Sequence, residues 1–77
     1  MTLNEFGCNT NLVIAKVNVG GKHGRRLYEM GFLPGTPVTI THKAPLGYPV
    51  SVSLRGYELI LGFDDANALE VELNDNK

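Results

Sequence analysis

At 77 residues the chain is long enough for one domain and too short for two, and a net charge of −1 leaves it without an overall basic field to gather nucleic acid. Hydrophobic residues make up 43% and charged residues 19%, with nine glycines, the balance of a turn-rich globular domain and not of a disordered tail. The lone cysteine, Cys8, excludes an internal disulfide, and the longest apolar stretch, LVIAKVNV, contains Lys16 and falls short of the about 20 residues that a membrane-spanning helix needs.

The opening MTLNEFGCNT has neither the basic nor the apolar region of a secretion signal, so it is expected to be a flexible start to a cytosolic module. One domain over residues 1–77 follows, with its core over about 11–73. In NLVIAKVNV, Val13, Ala15, Val17 and Val19 alternate against Lys16 and Asn18, which predicts a strand with one buried face. GGKHGRRLYEMG breaks that alternation and places Gly24, Leu27, Tyr28 and Gly31 at helical spacing.

The stretch LYEMGFLPGTPVTI then makes a corner. With Gly31 as the left-handed residue just past the helix, the Schellman pattern brings Phe32 back onto Leu27. Leu33-Pro34-Gly35-Thr36 fits a type II turn, proline fixing φ at the second position and glycine accepting a positive φ at the third. Local chemistry thus accounts for Gly31, Phe32, Pro34 and Gly35 as structural residues. Leu33 is left without a core neighbour and is expected on an exposed apolar groove between helix and sheet.

PVTITHK resumes a period of two, with Val38, Ile40 and His42 on one face and Thr39, Thr41 and Lys43 on the other. In PVSVSLRGYELIL, a two-residue turn at Arg55-Gly56 pairs Leu54 with Tyr57, Val52 with Leu59 and Val50 with Leu61, all on one face. DDAN suggests a single turn capped by aspartate, and ALEVEL a last strand with Leu69, Val71 and Leu73 inward. NDNK reads as a frayed end. The protein is therefore expected to be mainly β, a small barrel of about five strands with one short helix after the first strand.

Chemistry-bearing residues are few. A bound transition metal calls for imidazole, carboxylate or thiolate ligands converging on one point. Yet His23 has Arg26 and Leu27 one turn on, His42 continues a strand face as a half-buried residue, and Cys8 lies in the opening segment. These are weak metal candidates, and no tight site is expected from their spacing. GGKHGRR fails the phosphate-loop pattern at Lys16 and His23, and no nucleophile-base constellation appears, so the chain is read as a non-enzyme. Arg25 and Arg26 form a local basic cluster suited to an acidic partner surface.

LYEMGFLPGTPVTI, APLGYPVSV, LRGYELIL and DDANALEVEL, in this order, resemble the FeoA family, the small ferrous iron transport protein A of bacteria. The most specific parts are Leu27, Met30, Gly31, Pro34 and Gly35, and the segment Ala44-Pro45-Leu46-Gly47. The resemblance implies an SH3-like β-barrel and a cytosolic accessory role in ferrous iron uptake. It also implies association with the membrane transporter that carries a GTP-binding domain, at the inner face of the membrane. No firm cofactor is implied beyond weak binding of Fe²⁺ or another divalent transition metal. Similar domains end metal-dependent repressors of the diphtheria-toxin-repressor type, so a regulatory domain is the alternative reading; a small nucleic-acid-binding barrel is the second. Tyr48 stands where the family usually has aspartate, and Gly62 where it often has arginine. A partner surface is expected at Leu33, Leu46, Tyr48 and Pro49, rimmed by Arg25 and Arg26.

Overall fold

The computed structural model describes residues 1–74. Strands β1 (Asn11–Val17), β2 (Pro37–Lys43), β3 (Val50–Leu54), β4 (Tyr57–Leu61) and β5 (Leu69–Leu73) form one five-stranded sheet in the order β4-β3-β2-β1-β5. Every pairing is antiparallel. Helix α1 (Gly21–Glu29) links β1 to β2, as expected, and a second helix, α2 (Phe63–Ala68), links β4 to β5. α2 replaces the single aspartate-capped turn. Its N-cap is Gly62, with no side-chain capping bond, and burial of Ala66 and Ala68 supplies the packing that so short a helix lacks in its own sequence.

Two bulges curl the sheet around one core, and they correct the sequence reading at both places. In β1 the pairing with β5 shifts between Ile14 and Lys16. The inserted residue changes the phase, so the buried residues are Leu12, Ile14 and Val17, while Val13, Ala15 and Val19 are only half-buried. In β2 the pairing with β3 shifts between Ile40 and His42. Val38 and Ile40 face the core, but His42 pairs with Ser51 on the outer face, its side chain 80% exposed.

The β3–β4 hairpin has the expected register, Leu54 opposite Tyr57, Val52 opposite Leu59 and Val50 opposite Leu61. Its turn residues Arg55 and Gly56 both have positive φ, 51° and 85°, as a type I′ turn requires. Burial fades along β4: Leu61 is buried, Leu59 half-buried and Tyr57 71% exposed. The corner after α1 is a Schellman cap. The Phe32 N–H donates to the Leu27 carbonyl at 3.1 Å, the Gly31 N–H to Tyr28 at 3.0 Å, and Gly31 has φ 107°. Leu27 and Phe32 are both fully buried, and Met30 is half-buried beside them. The type II turn follows, closed by the Thr36 N–H on the Leu33 carbonyl at 3.0 Å, and Gly35 ties it to β1 through the Ile14 carbonyl at 2.7 Å.

The opening segment is part of the fold, and the core reaches back beyond residue 11. Leu3 is fully buried in a short 3-10 turn, the Val71 N–H donates to the Met1 carbonyl at 2.7 Å, and Thr2 bridges Glu70. Lys43 Nζ donates to the carbonyls of Asn4 and Phe6, at 3.3 and 2.9 Å. The Met1 amino group donates to Glu70 Oε1 at 2.6 Å; that bond raises the pKa of the amine and lowers that of the carboxyl. At the other end, the Asn74 N–H is bonded to the Asn11 carbonyl at 3.0 Å, and the remainder of the expected frayed end, residues 75–77, lies outside the described residues. Among the described residues no helix is long and apolar enough to cross a membrane.

Candidate functional site

The first turn of α2 faces one side of α1. In α1, His23 and Arg26 are three apart and share a face. Behind them Gly24 lies so close to the Val19 carbonyl that a Cβ would stand 2.3 Å from its oxygen. The glycine thus lets α1 settle against the segment that leads into it, with His23 and Arg26 directed at α2. There Asp65, its side chain only 15% exposed, receives both. Arg26 Nη2 donates to Asp65 Oδ1 and Oδ2 at 3.0 Å each, and His23 Nε2 meets Oδ1. His23 is therefore not the solvated histidine that its own helix suggested, and Arg26 already holds an acidic partner within the chain. Arg25 is exposed and has no ion-pair partner among the described residues.

Beside this cluster lies an open cleft of about 330 Å³ lined by His23, Arg26, Gly62, Phe63, Asp64 and Asp65. Its apolar margin is Phe63, 58% exposed, which the sequence reading passed over. The Tyr48 ring packs edge-on against Phe63, with centroids 5.0 Å apart and an interplanar angle of 68°. The Tyr48 hydroxyl reaches Asn67 Oδ1 at 3.5 Å. Leu46, 95% exposed, stands at the tip of the loop that carries Tyr48 and Pro49. That loop is braced by the Gly47 N–H on the Ala44 carbonyl at 2.8 Å and the Ala44 N–H on the Pro49 carbonyl at 3.2 Å. The result is an apolar surface on which Leu46 and Phe63 are exposed and Tyr48 is half-buried.

Leu33 is 40% exposed but is not part of this patch. Gly31 backs onto the Leu54 side chain at the end of β3, whereas Pro49 enters β3 at Val50. The two corners are separated by the length of that strand, roughly 13 Å. The single groove expected to run from Leu33 to Tyr48 is thus divided. Tyr48 packs on Phe63, beside the cleft that Arg26 lines, and Leu33 follows the corner at the other end of β3.

The metal candidates are also dispersed. Cys8 is exposed, His23 is engaged by Asp65, and His42 Nδ1 lies 3.6 Å from Glu58 Oε2 on the outer face. Among the described residues no group of three or more His, Cys, Asp and Glu side chains converges to hold a metal ion. At Asp65 the guanidinium of Arg26 supplies positive charge where a bound cation would have to sit. Among the described residues the donor set does not fit a resident metal.

Comparison with known proteins agrees with this architecture. A Porphyromonas gingivalis relative, an Fe(2+) transport protein A/Fe(2+) transporter FeoB fusion protein, is 37% identical over 73 residues, covering 95% of this chain but only 9% of the relative. The FeoA-like protein of Clostridium acetobutylicum superposes with a TM-score of 0.86 at 31% identity, over 100% of this chain and 90% of the other. FeoA of Stenotrophomonas maltophilia, a prokaryotic SH3 domain protein solved in complex with zinc, gives 0.82 at 30% identity, over 94% and 89%. The manganese-activated repressor ScaR, at 20% identity, matches 96% of this chain with 35% of its own and a TM-score of 0.84, a likeness of fold alone. The sheet is thus an SH3-like barrel. The FeoA domain model matches residues 1–73, and the chain belongs to the FeoA domain family.

Proposed function

We propose that this chain is a non-enzymatic accessory module of bacterial ferrous iron uptake, acting at the inner face of the membrane by binding the FeoB-type transporter with its GTP-binding cytosolic portion. The observation that carries this is the Porphyromonas gingivalis relative, in which a domain 37% identical to this chain is joined to a transporter FeoB in one polypeptide. Covalent linkage holds two domains at high effective concentration, which is of use only where they act on one another. The docking patch is Tyr48, Phe63, Leu46 and Pro49, with Arg25 and Arg26 as its basic margin and Leu33 as a separate outlying contact. Regulation of the repressor kind rests only on likeness of fold.

The test is association with the cytosolic portion of the cognate transporter, followed by calorimetry and amide shifts. Truncation of Tyr48 or Phe63 to alanine, with the fold retained, is expected to weaken binding by about 1–3 kcal/mol, as central aromatic anchors do. Charge reversal at exposed Arg25 is expected mainly to slow association. Unchanged affinity in both aromatic variants, or amide shifts confined to the opposite face of the barrel, would remove this patch from consideration.

A further inference from the structure

Little in α2 itself holds its first turn. The helix follows the end of β4 through Gly62, which caps it without a side-chain bond. Its buried side chains are two alanines, Ala66 and Ala68, both in its second half. Phe63 opens the helix exposed, with the Tyr48 ring against it. The remaining anchor of this turn is Asp65, whose carboxylate accepts from Arg26 Nη2 on both oxygens and meets His23 Nε2 on Oδ1. Among the described residues no backbone hydrogen bond joins α1 to α2, so the polar tie between the helices is this carboxylate. The tie adds little to global stability. Arg26 is exposed and His23 half-buried, and water can take the place of Asp65 on both.

We propose that Asp65 is a positioning residue for docking: clamped by His23 and Arg26, it fixes the first turn of α2 and thereby holds the Phe63 ring against Tyr48. The inference rests on the reading of Tyr48 and Phe63 as the docking patch. Phe63 lies two residues before Asp65 in the same turn, so loss of the clamp frees the ring without altering it. A partner that meets the two rings already in place is spared the cost of ordering them, and a preformed contact of this kind binds more tightly. The clamp also couples the patch to α1. Gly24 sets how closely that helix approaches the Val19 carbonyl, and so where His23 and Arg26 stand to receive Asp65.

The test is a double-mutant cycle on the isotopically labelled full chain, read both free and with the cytosolic portion of the cognate transporter. Asp65→Ala is expected to move the aromatic resonances of Phe63 and Tyr48 in the free chain. It should weaken transporter binding about fivefold, as a fall of the binding-competent fraction to about a fifth would. In the Phe63→Ala background the same substitution should change affinity by less than about twofold, since the ring that it positions is gone. Gly24→Ala displaces the donors instead, from a buried position that a partner cannot touch, and should weaken binding in the same background-dependent way. It carries the test should Asp65→Ala fail to fold. Unmoved Phe63 and Tyr48 resonances overturn the proposal, as does equal weakening in both backgrounds, which would make Asp65 a direct contact or a general support of the fold. Wild-type affinity in Asp65→Ala, with Phe63→Ala weakened, overturns the positioning role alone. Wild-type affinity in Phe63→Ala removes the patch itself, and the positioning role with it.

Discussion

Gly24→Ala in α1 sets two physical effects against each other. Alanine is the better helix former by about 1 kcal/mol, so intrinsic propensity alone predicts a stabler protein. Packing predicts the reverse. Gly24 is buried, its N–H donates to the Gly20 carbonyl at 3.2 Å, and a Cβ would stand 2.3 Å from the Val19 carbonyl oxygen and 3.2 Å from its carbon. Carbon meets a carbonyl oxygen comfortably at about 3.3–3.6 Å, so the first turn of α1 must retreat by roughly 1 Å. The obstacle is backbone and cannot rotate aside. Overpacking of this kind costs about 1–3 kcal/mol, which against the propensity gain leaves a net loss of about 1 kcal/mol. In a domain of this size that lowers Tm by about 4–8 °C. Thermal and urea unfolding followed by circular dichroism measure it, with Gly7→Ala as the control, since a Cβ there meets nothing within 4 Å. The same retreat draws His23 and Arg26 away from Asp65, so the His23 imidazole resonances should move as well. A variant that melts at or above the wild-type temperature would refute the packing account of α1.

Three further outcomes follow from the structure. Gly31→Val places a branched side chain at φ 107° with its Cβ 3.0 Å from Leu54 Cδ2, and should cost about 1 kcal/mol or more in denaturant unfolding; an unchanged midpoint would mean that the helix does not end there. Leu3→Ala removes a fully buried side chain and should cost about 3 kcal/mol, a large share of a total stability of about 4–10 kcal/mol, whereas a loose opening segment would leave stability untouched. Glu70, held low by the Met1 amine, contributes stability above the free carboxyl value of about 4.3 that is lost as pH falls through its lowered folded value; the amine, held high, contributes below about 8 and loses it as pH rises through its raised one. The stability difference between wild type and Glu70→Gln should therefore be greatest between about pH 5 and 8, and a difference flat across the range would exclude the pair.

What the sequence made legible is what is local. The Schellman corner is written within Leu27 to Phe32, and the hairpin register follows from turn chemistry and alternation that agree over Val50 to Leu61. The phase of β1 was illegible for a definite reason. Leu12, Val13, Ile14 and Ala15 are consecutive apolar residues, so either face fits, and the bulge before Lys16 that settles the matter depends on pairing with β5, more than fifty residues on. His42 was misplaced by the same device in β2. Leu3 carried no periodic signal, because a 3-10 turn buries a single side chain and repeats nothing.

The site was less legible than the fold because its partners are distant in sequence. One helical turn from His23 there is no carboxylate, yet Asp65 lies 42 positions on, and Arg26 finds the same carboxylate at 39. The two departures from the family pattern gave a signal that could have led to the patch. Tyr48 packs on Phe63, and Gly62 immediately precedes Phe63, so the two odd positions border one contact. Where the family resemblance leads one to expect an acidic and a basic residue, this chain sets the ring of Tyr48, on its loop, against that of Phe63, the first residue of a helix capped by glycine. Burial of one ring edge against the other, and not a pairing of opposite charges, joins the loop to α2 at these positions.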